Sequence, residues 1–302
     1  MSDSPFIRQV KVEVFPVAGA SYTFEGDGSN DKLRIKFTVH KHMVSTGMPS
    51  MIQVYNLSRE TRGKLSETQN PTLVMRAGWQ NTKVVQVFLG SLLYVTHQRE
   101  GASIVTNLMV IEGYFGLFKK VTFDVMSPNT KLIDLVVSMA SSIPNLVVDA
   151  NFVDIPKNIT FGNQGKTHAG PVDRKLDELA RVYGFTWWID NGVFYAKTDG
   201  RPFNKDTSNS VLVNQTNGLL RADPMLCLAL DQLVDRTTGI TISSIFNPNI
   251  KVGGTVSLQS SLNSRLNGDY EVHDITHSGD THENAWTTRV ESLKYFDSAA
   301  WR

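Results

Sequence analysis

The stretch that decides the fold lies in the last third of the chain: Gly239-Ile-Thr-Ile-Ser-Ser-Ile-Phe-Asn-Pro-Asn-Ile-Lys-Val-Gly-Gly254. Apolar and polar side chains alternate along it, and Asn-Pro and Gly-Gly pairs interrupt the alternation. The pattern continues through Thr255–Gln259, Gly268–Asp280 and Trp286–Glu291. Short alternating runs between turn residues predict antiparallel strands of a small barrel or sandwich. Almost nothing in this stretch suits catalysis, which favours a structural or interaction protein over an enzyme.

The first third of the chain has the same character. Residues 8–17, Leu33–Val39 and Met51–Tyr55 alternate between apolar and polar side chains, which predicts half-buried strands. Ser58 then suits the N-cap of a helix of about two turns. Further strand-like runs follow at Pro71–Gly78, Lys83–Tyr94 and Ser103–Gly113. Residues 1–115 therefore predict one antiparallel β domain with a single small helix.

The middle of the chain changes to a mixture of helices and strands. Residues 131–143 carry apolar side chains at helical spacing, with Asn129 or Thr130 as the expected cap, and Pro171–Tyr183 predicts a second amphipathic helix. Apolar runs flank Asp190-Asn191-Gly192 within Phe185–Tyr195, which predicts a hairpin.

These patterns together give the predicted fold class. It is mainly β with an α+β insertion: an inserted domain of two helices and a hairpin at 116–217, between antiparallel β domains at 1–115 and 218–302.

Composition narrows the range of partners. The 302 residues hold 30 Lys and Arg against 29 Asp and Glu, a formal net charge of +1, so no global field favours nucleic acid or an anionic membrane. The single Cys227 excludes an intrachain disulfide and, within an apolar run, is expected to be a buried thiol. No apolar run is long enough for a transmembrane helix, and the N-terminus lacks the features of a secretory signal. We therefore expect no membrane insertion and folding in a cytoplasm.

Three groups of residues are candidates for metal binding, phosphate binding or catalysis. His273 and His277, four residues apart on a strand, would be roughly 13 Å apart and could not share one metal ion; His277 with His282 across a turn is left open. Gly162–Thr167 resembles a phosphate-binding loop, but two residues rather than four separate its glycines. A glycosidase-type pair of carboxylates, which needs only two residues, also stays open. We expect no catalytic residue, no cofactor and no metal.

Histidines and tryptophans elsewhere have simpler interpretations. His40 and His42 flank Lys41 close to a predicted strand end, where solvated side chains are expected. Trp187 and Trp188 are adjacent in the predicted hairpin and therefore face opposite sides. We expect one of them in the core and the other exposed or at an interface, since tryptophan is enriched at binding hot spots.

Three segments, in this order and spacing, resemble the baseplate or tail hub proteins of tailed bacteriophages, including the contractile-tail hubs and the late-control proteins. The segments are Leu33–Lys41 followed by Ile52–Arg62; Leu176–Gly192; and Ile245–Gly254 with Gly268–Val272 and His277–Asp280. They cover most of the chain, and none of them is a catalytic signature.

The resemblance implies a structural virion protein rather than an enzyme. It implies a homotrimeric hub in which two tube-like barrels per subunit form a pseudo-sixfold ring. One side of this ring would match the hexameric tail tube, and a threefold spike would dock on the other. DNA would pass through the lumen without sequence-specific contacts. The chain lacks the extra regions of the secretion-system proteins that fuse a hub to a needle, so the expected spike is a separate trimeric protein.

The remaining expected partners are other baseplate or wedge proteins, in a virion assembled in the host bacterial cytoplasm. Two alternatives stay open: a tail-associated enzyme that degrades carbohydrate or peptidoglycan, and a distal tail or tube-initiator ring protein. The residues expected at interfaces are Tyr55, Trp187, Trp188 and the Asn247-Pro248 turn.

Overall fold

A computed structural model describes residues 7–45, 47–80, 84–113, 121–126, 129–161, 166–200, 203, 210–226 and 238–294. The prediction of a buried Cys227 lies outside the described residues, as do Gly162–Gly165 of the candidate phosphate loop. Within the described part of the chain, no helix has the length and apolar character needed to span a membrane.

The secondary structure of the described residues is dominated by strands. In chain order these are β1 (Arg8–Phe15), β2 (Tyr22–Gly26), β3 (Ile35–His42), β4 (Ser50–Tyr55), β5 (Thr72–Trp79), β6 (Val85–Glu100), β7 (Ser103–Ile111), β8 (Val121–Met126), β9 (Val147–Asp154), β10 (Lys166–Pro171), β11 (Phe185–Asp190), β12 (Val193–Thr198), β13 (Val211–Asn214), β14 (Leu219–Leu226), β15 (Thr238–Ile245), β16 (Thr255–Gln259), β17 (Gly268–Asp280) and β18 (Trp286–Lys294). The helices are α1 (Arg59–Glu67), α2 (Leu132–Ser141) and α3 (Val172–Tyr183). The predicted class, mainly β with an α+β insertion, is confirmed.

Local signals in the sequence place several element ends correctly. The Ser58 hydroxyl accepts a hydrogen bond from the Thr61 backbone N–H and caps α1. Gly184 ends α3 in the left-handed conformation, at φ 66°. The cap of α2 differs from the expectation: Lys131 occupies the N-cap position and makes no side-chain cap, so neither Asn129 nor Thr130 has that role.

One sheet runs through both ends of the chain. Eleven of its thirteen strands follow the order β14-β15-β18-β17-β3-β4-β7-β6-β5-β1-β2, and the other two branch from β17, which pairs with β16, which pairs with β13. Residues 274–280 of β17 pair antiparallel with β3, while the start of β17 pairs with β16. Closure of each end into a separate barrel stays a prediction, because the sheet as observed is continuous from the first strands to the last.

Two pairings are parallel rather than antiparallel, namely β13 with β16 and β9 with β12. The first pairing attaches Val211–Asn214 to the C-terminal strands, although the sequence pattern places that segment within the inserted domain at 116–217. Parallel pairing between segments some 40 residues apart leaves no turn signal in the sequence, since no hairpin joins the two strands.

The buried apolar side chains form three clusters. The N-terminal core is built from β1–β7 and α1, and it also takes Phe246 and Trp286 from the C-terminal segment. The insertion core draws only on residues between Leu132 and Ala196. The C-terminal core takes Met43 from the N-terminal segment and Trp188 from the insertion. The three clusters therefore exchange side chains across the predicted domain boundaries.

Candidate assembly surface and domain junction

The two tryptophans of the hairpin are both buried, at 2% and 0% exposure, so neither is exposed, while the alternative of a position at an interface stays a prediction. They do face opposite sides: Trp187 lies in the insertion core and Trp188 in the C-terminal core. The alternation of the strand was interpreted correctly, but both faces of the hairpin are covered. Trp188 thus joins two cores within one subunit and does not lie on an outer surface.

Tyr55 is also largely enclosed, with 7% exposure. The Arg34 guanidinium lies 4.7 Å from the centre of its ring, and its hydroxyl lies 3.4 Å from the Glu100 carboxylate. Arg34 in turn donates to the fully buried Asp280 at 2.7 Å. Tyr55 therefore belongs to a clamp between β4 and the end of β17.

The Asn247-Pro248 turn is half-buried and held from both sides. The Asn247 backbone N–H donates to the Thr288 hydroxyl at 2.9 Å, and the Asn247 side chain accepts from the Asn249 backbone N–H at 3.1 Å. This turn keeps part of its surface accessible. Among the residues predicted at interfaces, it is the one most available to a partner.

A buried ionic cluster lies where the insertion meets the N-terminal strands. The Lys41 ammonium on β3 contacts Asp190 at the end of β11 and Glu112 after β7, the latter at 3.1 Å. Their side chains are only 4%, 6% and 10% exposed, respectively. Glu112 also accepts from the Asn191 backbone N–H at 3.3 Å, which ties the hairpin turn to the cluster. The cluster therefore anchors the insertion to the first β domain.

The electrostatics of this cluster follow from burial. Burial disfavours a charged lysine, but Asp190 and Glu112 outweigh it and raise the pKa of Lys41 above its ordinary value. Burial and the neighbouring Asp190 carboxylate raise the pKa of Glu112 to about 7, against the attraction of Lys41. One lysine between two carboxylates leaves Glu112 as the group that takes up a proton first.

Two carboxylates near each other, one with a raised pKa, are also the pattern of a glycosidase. In this chain the Lys41 ammonium contacts both carboxylates, and the adjoining cavity has a volume of about 20 Å³. Such a cavity holds about one water molecule. A sugar ring does not fit between these groups, so the arrangement suits a structural anchor rather than glycoside hydrolysis.

A second buried ion pair holds the other strand of the hairpin. Lys197 on β12 donates to Glu271 on β17 at 2.5 Å, and both side chains are 4% exposed. The Glu271 carboxylate also lies 3.1 Å from Nε2 of His273. Burial alone would raise the pKa of Glu271, but the hydrogen bonds and positive charges around it hold that pKa below its ordinary value. The hairpin β11–β12 is thus tied to β3 and β17, two adjacent strands in the middle of the main sheet, by buried charge pairs.

The histidines considered for metal binding have other partners. His277 is buried, and its Nδ1 lies 2.9 Å from the Thr288 hydroxyl. His282 Nδ1 lies 3.0 Å from the Thr281 hydroxyl. Within the residues that the structure describes, no group of three or more His, Cys, Asp or Glu side chains is placed to hold a metal ion.

The accessible features that sequence reasoning missed are terminal strands of the main sheet, at the two ends of its main path of strands. In the described part of the chain, β2 pairs only with β1, and β14 pairs only with β15. Exposed apolar residues lie in or near these strands: Val17 (82%) in the loop between β1 and β2, Leu220 (58%) within β14, and Leu262 (86%) in the loop between β16 and β17. Leu220 is the extra residue of a β-bulge, where the register shifts between Leu219 and Arg221. A bulge turns one side chain outward, and no sequence pattern signals this one.

Leu262 reaches the same region through a loop tied to β14. The Asn263 side chain donates to the Ala222 carbonyl of β14 at 3.1 Å. Single exposed leucines are ordinary on protein surfaces, but apolar side chains beside a strand with an unpaired edge are typical of a surface that another chain covers.

The described residues thus define a mostly β class of protein with three interlocked cores and with sheet strands, β2 and β14, that each pair on one side only. Residues 19–292 match the protein family described as "Baseplate hub gp41". Because this match covers most of the chain, the protein belongs to the baseplate hub gp41 family. The family makes it a structural component of the bacteriophage tail or baseplate. No curated protein matches the sequence.

Solved structures of tail proteins share the fold. The tail protein of Neisseria meningitidis MC58 has a TM-score of 0.60 at 11% identity, over 94% of this chain and 96% of that one. The 43 kDa tail protein of prophage MuSo2 from Shewanella oneidensis has a TM-score of 0.63 at 9% identity, over 94% of this chain and 98% of that one. The E. coli c3393 protein, a type VI secretion component, has a TM-score of 0.53 at 10% identity, over 88% of this chain and 74% of that one. At such identities these likenesses show the fold alone.

Proposed function

We propose that the protein forms a homotrimeric ring in the baseplate, between a sixfold tail tube and a separate threefold spike protein. The observation that carries this proposal is the main sheet, in which β2 and β14 each pair on one side only among the strands that the structure describes. Two different edges on one subunit allow a head-to-tail contact, which generates a ring when the rotation between copies closes. Pairing the edges between subunits would also remove the hazard that open strands pose.

Membership in the baseplate hub family supports the same arrangement. Two β domains per subunit give a trimer six β units, which fits the symmetry of a hexameric tube. The near-neutral charge of the chain suits assembly by shape and a lumen that passes DNA without gripping it. Assembly in the host cytoplasm, and contacts with other baseplate or wedge proteins, belong to the same proposal.

The mass of the purified protein in solution, measured by light scattering, tests the ring. The expected result is three times the 33.6 kDa of one chain. A hexamer would favour a distal tail or tube-initiator ring protein instead. A monomer that stays monomeric when mixed with its tube and spike proteins would contradict the proposal.

A pair of matched variants locates the contact. Leu220→Asp places a charge beside the β14 edge, whereas Val182→Asp changes a residue of similar exposure (61%) on α3 of the insertion. We expect Leu220→Asp to reduce the trimer fraction at a given concentration and Val182→Asp to leave it unchanged. Equal behaviour of the two variants would move the interface away from β14.

A further inference from the structure

The buried ionic cluster at the junction holds the three groups that a covalent bond between two side chains requires. Lys41 supplies a primary amine, and the Asp190 carboxylate, which contacts the Lys41 Nζ atom, supplies a carbonyl carbon. Glu112 lies 3.1 Å from the same Nζ atom and can carry protons between the other two groups. A lysine amine becomes a nucleophile once it has lost its proton. Condensation of this amine with the Asp190 carboxyl group would give an amide.

Folding brings the reacting atoms together and shields them from bulk water. The side chains of Lys41, Asp190 and Glu112 are 4%, 6% and 10% exposed, respectively. Groups that a fold holds in contact react as if they were highly concentrated, because the entropy of bringing them together has already been lost. The adjoining cavity of about 20 Å³ is lined by Lys41 and Glu112 and has the size of one water molecule. The site therefore has room for the one small product of an amide condensation.

Glu112 is suited to the proton transfers. Burial and the neighbouring Asp190 raise its pKa to about 7, against the attraction of Lys41. A group whose pKa lies near the pH of the solution can both accept and donate protons. Burial lowers the pKa of Lys41, but the two carboxylates outweigh this effect and raise it. The ammonium is therefore the resting form, and the amine forms only when Glu112 takes up its proton, so we expect the bond to form slowly after folding.

We propose that the Nζ atom of Lys41 forms an isopeptide bond with the Cγ atom of Asp190 in the folded chain, with Glu112 as the catalytic proton carrier. Glu112 first moves one proton from the Lys41 ammonium to the Asp190 carboxylate. The Nζ lone pair then attacks Cγ, and Glu112 accepts a second proton from the nitrogen and returns it to the departing hydroxyl. One C–N bond forms, one C–O bond breaks and one water molecule leaves. The balance needs no oxidant and no further reactant.

The bond fastens the insertion to the first β domain. It joins β3 to the end of β11 across 149 residues of chain. A covalent link that closes a long loop stabilises a protein mainly by restricting its unfolded chain. The single cysteine of the sequence cannot form an intrachain disulfide, whereas a bond between lysine and aspartate needs no oxidising compartment. This proposal goes beyond the hub function and stands whether or not the protein is trimeric.

Mass spectrometry of the full-length protein under denaturing conditions, after incubation of the folded protein near pH 7, tests the bond. We expect the chain to weigh one water molecule less than its sequence. Trypsin should release a branched peptide that joins residues 37–59 to residues 182–197, because it does not cleave after an acylated Lys41. Lys41→Arg and Glu112→Gln should each have the full mass of their own sequence. A full mass for the native protein, or a mass loss that persists in Lys41→Arg, would overturn the proposal.

Two further variants keep the test decisive if Lys41→Arg does not fold, as judged by circular dichroism. Asp190→Asn keeps the shape of the side chain and releases ammonia instead of water, so it should reach the same final mass as the native protein. A folded Asp190→Asn variant that keeps its ammonia would contradict the proposal.

Lys197→Arg is the matched control, because it changes the other buried ion pair of the hairpin. Hydrogen bonds and positive charges hold the pKa of Glu271 below its ordinary value in spite of its burial, so this carboxylate stays charged and is a poor target for an amine. The Lys197→Arg variant should therefore still lose one water molecule. A full mass for this variant, when it is folded, would place the bond at Lys197 and overturn the assignment to Lys41.

Discussion

Single buried ionisable side chains set the pH response of this protein. Burial, with a contribution from Lys41, lowers the pKa of His277 to about 3. Burial beside Asp190 raises the pKa of Glu112 to about 7. On acidification the two groups act in opposite directions, because the folded protein resists protonating His277 and favours protonating Glu112. A weak pH dependence of the native protein near neutrality can therefore hide two large contributions.

The His277 contribution can be isolated with His277→Gln. An unfolded histidine has a pKa near 6.5, so below that pH the unfolded chain binds a proton that the folded chain rejects. Between pH 7 and pH 5 this lowers the free energy of unfolding by about 2 kcal/mol. The variant His277→Gln lacks this loss. When the pH falls from 7 to 5, its free energy of unfolding should therefore rise by about 2 kcal/mol relative to that of the native protein, as measured by urea unfolding at both pH values. Parallel pH profiles would show that His277 titrates normally.

Glu112→Gln should change the profile in the opposite direction. The stability contributed by the raised pKa of Glu112 is fully present below its ordinary value of 4.5 and is lost as the pH rises through about 7. The variant lacks this gain, so relative to the native protein it should lose stability when the pH falls from 8 to 5. Urea unfolding at pH 8 and pH 5 measures this relative loss of stability. A relative gain in stability at pH 5 would contradict a raised pKa for Glu112.

At the scale of elements, the hairpin β11–β12 is the central connector. Its two faces lie in different cores, and Lys41 and Lys197 anchor its two strands through buried ion pairs. The turn between the strands has φ 51° at Asn191 and φ 79° at Gly192, the positive values expected for an Asn-Gly hairpin.

Gly192→Ala should destabilise this connector. At φ 79° a side chain is strained, and a Cβ would lie 2.7 Å from Leu89 Cδ2. We expect a cost of about 1–2 kcal/mol in the free energy of unfolding. Gly63→Ala is the matched control, because Gly63 lies within α1 with nothing within 4 Å of a new Cβ; it should stabilise by about 0.5–1 kcal/mol. Thermal or urea unfolding measures both variants. Equal effects of the two substitutions would show that the conformation of Gly192 in the turn contributes no specific stability.

At the scale of the whole molecule, the N-terminal and C-terminal strands form one body. Phe37 of the N-terminal core packs edge-on against Phe246 at 6.0 Å and Trp286 at 5.5 Å, both from the other end of the chain. Arg8 likewise donates to the Asp280 carbonyl at 2.8 Å. The pairing of β3 with β17 completes this connection through the backbone.

A fragment of residues 1–113 should therefore fail to fold by itself. It would lose the two aromatic rings against Phe37 and leave the β3 edge unpaired, so a large apolar surface would meet water. We expect the isolated fragment to show no cooperative unfolding transition by circular dichroism, whereas the full chain shows one. A cooperative, soluble fragment would mean that the first β domain is autonomous.

Local features were predictable because adjacent residues encode them. Ser58 as a cap, Gly184 as a helix end and Asn191-Gly192 as a turn each need only their neighbours and a backbone preference. The alternation of the strands likewise predicts the mainly β class. The outward turn of Leu220 and the burial of Trp188 could not be predicted, because each depends on which distant segment lies opposite.

The sequence by itself determined the β-rich class, the three helices, the hairpin around Asn191-Gly192 and the resemblance to phage hub proteins. Only the tertiary structure decided that β3 pairs with β17, that Lys41 meets Asp190 across 149 residues, and that both hairpin tryptophans are buried. The physical reason is range. Backbone propensity and side-chain alternation act over a few residues, whereas burial and charge pairing depend on contacts that exist only once the whole chain has folded.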